Sequence, residues 1–392
     1  MTTLTIGLFG FGCVGQGLYH ALQNSTGFKT QIDKIVVKNK KKKRPLNRDL
    51  FSFDKNDILE NPEIDVVVEL IDDAEEAFNI VSTALQKGKH VVTANKKMLA
   101  SHLEKLVKLS REHQVSLLYE AAACGSIPIM RSLEEYFGNE QLNRIVGIFN
   151  GTTNYILTRI ADENLAFADA LRNAQELGFA ESNPKNDVEA FDPLYKAIVL
   201  AFHGFGIILQ PDGLLRFGIS ALKEGDIEFA AKHNYRTKLV ASIQRITQNS
   251  LSAYVIPCFI DSGHKLAMVN NEFNGVIVEG SFSGEQFFVG KGAGSFPTGA
   301  AVLSDLSALS FNYAYENKKY KQAIQPEITH DFNLKIYVSS TNTEDIELFP
   351  FELVEENHQK NDFNYRIGDI RASELAKLKH VIEQRKIFIA MI

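Results

Sequence analysis

Residues 4–22 read LTIGLFGFGCVGQGLYHAL. The apolar run Leu4–Phe9 has the composition of a buried strand, and Gly10-Phe11-Gly12-Cys13-Val14-Gly15 follows it directly. G-x-G-x-x-G is weak evidence alone. Here it stands between a strand and the helical pattern Val14–Leu22, the context in which such a loop cradles a dinucleotide. Gly10 allows the tight turn, Gly12 lets the backbone approach a pyrophosphate, and Gly15 lets helix and strand pack closely. The helix N-terminus adds amide donors for the phosphates. Residues 10–15 are therefore candidate cofactor contacts.

Working outward, strand patterns recur at 32–37, 64–71, 90–93 and 115–119, with helical patterns at 74–87, at 98–112 and from Pro128 to about 137. This alternation implies an α/β fold with a doubly wound, Rossmann-type parallel sheet over residues 1–140. Ligands bind such sheets at the carboxyl ends of the strands, where Thr93, Asn95 and Lys96 fall, and where Glu120–Ser126 also lies. The end of the second strand distinguishes the cofactors. NAD sites place a carboxylate there, and NADP sites a cation. This chain has Lys38 and then Lys40–Arg44, with no acidic residue between Lys34 and Asp49. A solvated basic loop is the bland alternative. The position favours NADP(H), with NAD(H) possible.

A second unit is expected over 141–295, an α+β substrate-binding and dimerisation domain. Its strand at 145–149 runs into the polar turn Asn150-Gly151-Thr152-Thr153-Asn154, whose hydroxyls, amides and backbone N–H groups suit a carboxylate. Residues 181–201 read ESNPKNDVEAFDPLYKAIVLA. Asp192-Pro193 suggests a helix start, with Asp192 as N-cap. Ala197–Phe202 is apolar throughout, so this helix is buried and carries Lys196 one turn beyond Asp192. A charge there needs a paired carboxylate or a role in proton transfer. An ordinary i,i+4 ion pair is the simpler reading, but Glu181, Asp187 and Asp192 all approach the lysine along one polar segment. Antiparallel strands are expected at 238–247, 251–259, 276–282 and 286–289. Gly290–Thr298 then leads to a helix returning to the nucleotide domain over 296–315, and 320–392 reads as a small α+β segment.

Composition narrows the classes. The 392 residues are 45% hydrophobic and 23% charged with a net charge of -6, giving no reason to expect a nucleic-acid or membrane partner. Cys13, Cys124 and Cys258 lie far apart, without metal-ligand spacing. With a strand pattern at the very start of the chain, that fits a cytoplasmic protein.

Six stretches in order resemble the homoserine dehydrogenase family: GLFGFGCVGQG (7–17), HVVTANKKMLA (90–100), YEAAACGSIPIMRSL (119–133), GIFNGTTNYILTRI (147–160), AQELGFAESNPKNDVEAFDPLYKA (174–197) and GKGAGSFPTGAAVLSDL (290–306). The resemblance implies reversible NAD(P)H-dependent reduction of L-aspartate 4-semialdehyde to L-homoserine by a homodimer or homotetramer. It implies Lys196 and Lys96 as the proton-handling groups, with Glu181 and Asp192 on the substrate ammonium and Asp187, Thr152 and Gly151 nearby. Gly292 joins the cofactor contacts. A monovalent cation, sodium or potassium, is implied in the loop of Glu120, Ala123, Gly125 and Ile127, largely on backbone carbonyls, ligands that suit a hard ion. The alternatives are another amino-acid dehydrogenase, such as aspartate dehydrogenase, or a non-catalytic dinucleotide sensor. Three departures from the family stand out. Asp72-Asp73 replaces the usual glycines, Phe179 replaces a common tyrosine, and the C-terminal segment lacks the first helix of a full ACT regulatory domain.

Overall fold

A computed structural model describes residues 3–26, 29–322, 325–360 and 363–392. The chain forms two compact units. One contains the chain up to Asn139 together with Ile198–Gln210 and Gly290–Gln322, and the other Glu140–Ala197, Pro211–Val289 and the C-terminal segment.

The first unit is built on six strands: β1 (Leu4–Phe9), β2 (Thr30–Val36), β3 (Phe51–Ser52), β4 (Val66–Glu69), β5 (His90–Thr93) and β6 (Leu117–Leu118). They are all parallel, in the order β3-β2-β1-β4-β5-β6. Val66, Val67 and Val68 are fully buried, as a strand covered on both faces requires. Strand order reverses beside β1, which sets the loops after β2 and β4 on either side of the glycine loop. The helices Cys13–Asn24 and Ser295–Leu309 pack together across glycines. A Cβ on Gly299 would stand 2.7 Å from the backbone of Gly17 and Leu18, so this contact excludes side chains. Leu18, Val302 and Leu306 fill the core beside it.

The second unit holds an eleven-stranded mixed sheet. Its members are β7 (Leu142–Ile148), β8 (Leu215–Arg216), β9 (Tyr235–Thr247), β10 (Ser250–Asp261), β11 (Phe273–Gly280), β12 (Gly284–Lys291), β13 (Glu327–Ile328), β14 (Asn333–Ser340), β15 (Leu353–Lys360), β16 (Phe363–Arg371) and β17 (Phe388–Met391). The main path runs β12-β11-β7-β9-β10-β17-β14-β16-β15, with β8 and β13 also paired to β10.

Several expectations need correction. The expected helix from Pro128 is only Ile129–Arg131, continued by a widened π-type turn, Ser132–Tyr136, that carries the buried Glu134. The helix around Lys196 starts at Phe191, so Asp192 lies inside its first turn, and its carboxylate accepts from side chains rather than capping. The first helix of the C-terminal segment is present as a single five-residue turn, Thr343–Glu347, and β16 is an additional strand. That segment is a β-α-β-β-α-β unit in the order β17-β14-β16-β15, and it extends the same sheet through β17 on β10.

Candidate active site

In the first unit, the glycine loop has the geometry a pyrophosphate needs. Gly10 has φ +93, and a Cβ there would stand 2.5 Å from the Leu70 carbonyl oxygen. Gly12 caps the helix Cys13–Asn24 without a side-chain bond, and nothing lies within 4 Å of where its Cβ would be. Among the described residues the space beside Gly12 is thus open, as the approach of a pyrophosphate to the backbone requires, and a dinucleotide fits. Gly15 closes on Gly10, its Cβ position 2.6 Å from the Gly10 carbonyl oxygen. Phe11 is buried edge-on against Phe51 and Tyr19, while Cys13 is exposed and Val14 half-buried.

The lysines of the basic run are exposed, and the half-buried Arg44 ties the loop together. Arg44 donates to the carbonyls of Asn39 (2.8 Å) and Lys42 (2.9 Å) and lies over the Phe51 ring. Lys40 lies over Phe53, and Lys40–Arg44, Leu46 and Phe53 line a cationic cavity of about 490 Å³. Lys38 Nζ lies 3.7 Å from the Asp73 carboxylate. A carboxylate from the loop after β4 thus stands beside the cation that follows β2.

Thr93, Asn95 and Glu69 form a closed network at the ends of β4 and β5. Glu69 is fully buried, and its two oxygens accept from Ile71 N (2.7 Å) and Thr93 Oγ1 (2.6 Å). Thr93 Oγ1 accepts from Asn95 N (3.0 Å), Asn95 Nδ2 donates to Ile71 O (3.0 Å), and Asn95 Oδ1 caps the helix Lys96–Glu112 at Met98 N (3.0 Å). Burial pushes the Glu69 carboxyl up to about 7, against the opposing pull of these two donors. The network fixes the turn that presents Lys96, a half-buried residue at the start of its helix.

The loop expected to hold a cation turns on two consecutive left-handed residues, Cys124 (φ 56) and Gly125 (φ 58). A Cβ on Gly125 would collide with the backbone of Lys291 and of the buried Gly292. Ser126 N donates to Lys291 O (3.0 Å), and Ile127 N to Cys124 O (3.1 Å). Glu120 uses its carboxylate internally, accepting from Met130 N (2.8 Å) and Arg131 N (2.9 Å), while its own N–H donates to Asp305 (2.8 Å). Burial raises both carboxyls, Asp305 well above the usual range with Glu120 adding to it, and among the described residues the buried Asp305 Oδ1 has no hydrogen-bond partner. Ala123 ends this short helical turn in extended conformation. Such a loop has backbone carbonyls to offer a monovalent ion. Among the described residues, no three His, Cys, Asp or Glu side chains converge as a divalent metal would need.

In the second unit, Asn150, Asp187, Asp192 and Lys196 form one polar cluster, buried except for the half-buried Asp187. Lys196 Nζ donates to Asp192 Oδ2 and to the Phe149 carbonyl, both at 2.7 Å. Asn150 Nδ2 donates to Asp187 Oδ1 (2.7 Å) and Asp192 Oδ2 (2.8 Å). Asn150 Oδ1 meanwhile caps the helix Gly151–Glu163 at Thr153 N (2.8 Å), which settles which end of the amide faces the carboxylates. One cation against two carboxylates leaves the cluster net negative, so it suits an ammonium. Thr152 Oγ1 donates to Phe179 O (2.5 Å), and Gly151 packs where a Cβ would come 2.6 Å from Glu272 O. Glu181 is exposed at the edge of this segment, its carbonyl accepting from Gln175.

A family model described as Homoserine dehydrogenase matches residues 128–307, and one described as Homoserine dehydrogenase, NAD binding domain matches 10–120. Homoserine dehydrogenase of Bacillus subtilis is 36% identical over 321 residues, covering 80% of this chain and 74% of that relative. The chain belongs to the homoserine dehydrogenase family. Homoserine dehydrogenases are oxidoreductases acting on a CH–OH group, and the nucleotide domain goes with use of NAD(P)(H). A solved homoserine dehydrogenase of Thiobacillus denitrificans superposes with TM-score 0.86 at 29% identity, over 100% of this chain and 98% of that one. One of S. aureus gives 0.74 at 30% identity, again over 100% and 98%.

Against the homoserine dehydrogenase pattern, Phe179 keeps the aromatic ring, 4.9 Å from that of Tyr155, without a hydroxyl. Several polar residues escaped sequence reasoning. His203 is buried between Glu134 (2.6 Å) and the Tyr119 hydroxyl (2.9 Å). Burial alone would raise the Glu134 carboxyl, but His203 and the backbone of Asn317 and Glu316 together bring it below its ordinary value. Lys238 is buried on β9 among neutral acceptors, Asn154 Oδ1 (3.0 Å), Val269 O (2.6 Å) and Asn270 Oδ1 (3.2 Å), and burial lowers it to about 7. The available signal was a lysine inside an apolar alternation.

Proposed function

We propose that this chain catalyses the reversible NADPH-dependent reduction of L-aspartate 4-semialdehyde to L-homoserine, a step toward threonine, methionine and isoleucine, and that it acts in the cytoplasm as a homodimer or homotetramer. The observation that carries this reading is the polar cluster of Lys196, Asp192, Asn150 and Asp187, built from the two most family-specific stretches.

Bound dihydronicotinamide supplies the hydride. As the aldehyde carbon accepts it, the oxygen gains negative charge and then a proton. Lys196 stabilises that charge and donates the proton. An ammonium has three N–H bonds, and Asp192 and Phe149 O take two, so one is left for the substrate oxygen. Lys96 assists on the same oxygen and contacts the cofactor. Asp192 and Glu181 orient the substrate ammonium, with Asp187 beside them, and Gly151 and Thr152 lie against the substrate. Gly10–Gly15 hold the pyrophosphate, Thr93, Asn95 and Gly292 the nicotinamide end, and Lys38 the 2′-phosphate. The loop of Glu120, Ala123, Gly125 and Ile127 holds sodium or potassium. The test is NADPH oxidation with aspartate semialdehyde, with homoserine identified as product and potassium or sodium added or withheld. Folded protein that turns over nothing under either condition refutes the assignment. Lys38→Asp should weaken NADPH use more than NADH use, and equal specificity constants for the two in the unaltered chain would refute the preference.

A further inference from the structure

Lys38 and Asp73 stand on loops that flank the glycine loop, because β2 and β4 are the two neighbours of β1. Their side chains meet at 3.7 Å and are 74% and 53% exposed. The two partners are unequal. Asp73 is held in place, its Oδ1 accepting from Glu76 N (3.0 Å) to cap the helix Ala74–Gln86, while Lys38 reaches it along a flexible stem. Asp72 and Glu75 are exposed beside it. Just past β2 the chain therefore presents a cation already engaged by a fixed carboxylate, with the basic run Lys40–Arg44 following it in sequence.

We propose that Asp73 sets this chain's cofactor selectivity, limiting its preference for NADPH over NADH by competing with the 2′-phosphate for Lys38. The proposal rests on the reading that Lys38 faces that phosphate. A 2′-phosphate carries ~1.5–2 negative charges at neutral pH, so the phosphate must displace Asp73 and then remain near it, whereas NADH meets neither cost. An exposed ion pair is weak, so displacement happens readily and the penalty is a factor, not a block.

The experiment is a titration of each reduced cofactor into the protein without substrate, followed by nicotinamide fluorescence. Asp73→Asn removes the charge and keeps a good helix cap, and Asp73→Ser does the same should the first variant fold poorly. The expected result is an NADPH Kd lowered about three- to tenfold with the NADH Kd within about twofold, and a gain that shrinks in high salt. Lys38→Met should loosen NADPH selectively and erase the Asp73→Asn gain in the double variant. If Lys38→Met loosens NADPH but Asp73→Asn changes the two cofactors alike or not at all, the proposal for Asp73 is overturned while the Lys38 reading stands. If Lys38→Met leaves NADPH unchanged, the Lys38 reading fails and the role of Asp73 falls with it.

Discussion

Asn150 directs its two amide hydrogens to Asp187 and Asp192 while its oxygen starts a helix, so one side chain sets both the backbone and the electrostatics around Lys196. Lys196→Ala should lower kcat by ~10²-fold or more, the range for a lost proton donor. Its charge is made useful in the transition state, whereas Glu181 meets an ammonium present throughout, so Glu181→Gln should raise KM with a smaller change in kcat. If instead Lys196→Ala turns over normally and Lys96→Ala does not, Lys96 is the acid and Lys196 a partner of Asp192. Glu69 gives a pH signature. Its folded carboxyl, near 7 against an ordinary 4.5, keeps a proton that the unfolded chain has released. Stability should therefore fall as pH rises from about 4.5 to 7 and level off above. Glu69→Gln should remove that slope, so the variant gains on the parent toward alkaline pH by no more than about 3 kcal/mol, measured as midpoint differences across pH. Lys196 and Asp192 were legible in sequence because they lie four residues apart on one helix. Glu69 and His203 were not, because their partners lie 24 and 69 residues away and only folding brings them close.

Among the elements, the contact between the helices Cys13–Asn24 and Ser295–Leu309 tolerates little change, since Gly299 leaves no room for a methyl group. Gly299→Ala should cost about 1–3 kcal/mol through overpacking, seen as a lower urea midpoint, with nucleotide binding weakened as the first helix shifts. An unchanged midpoint would mean the helices separate at little cost. The core strands of the first unit were legible because burial on both faces leaves continuous apolar runs. β15 carries little signal in the sequence, since seven of its eight residues are exposed and no alternation marks it, and β16 was not expected at all. The glycine contact itself was invisible. Sequence shows two glycines nearly three hundred positions apart, and only the packing of one helix on another makes them a pair.

The whole molecule assigns three separated segments to its nucleotide-binding unit, the last being Gly290–Gln322. Residues 1–139 expressed alone should therefore bind hydrophobic dye, give no nicotinamide fluorescence enhancement with NADPH, and unfold without a cooperative transition. A sharp transition in that fragment would show its core to be sufficient. The long gap also has a meaning in time. The glycine loop leaves the ribosome well ahead of the helix that covers Leu18, which comes nearly three hundred residues later. At ~5–20 residues per second, that is an interval of some tens of seconds. For that interval the nascent chain carries its phosphate loop on a helix with one bare apolar face, a target for chaperones before it is a place for a cofactor.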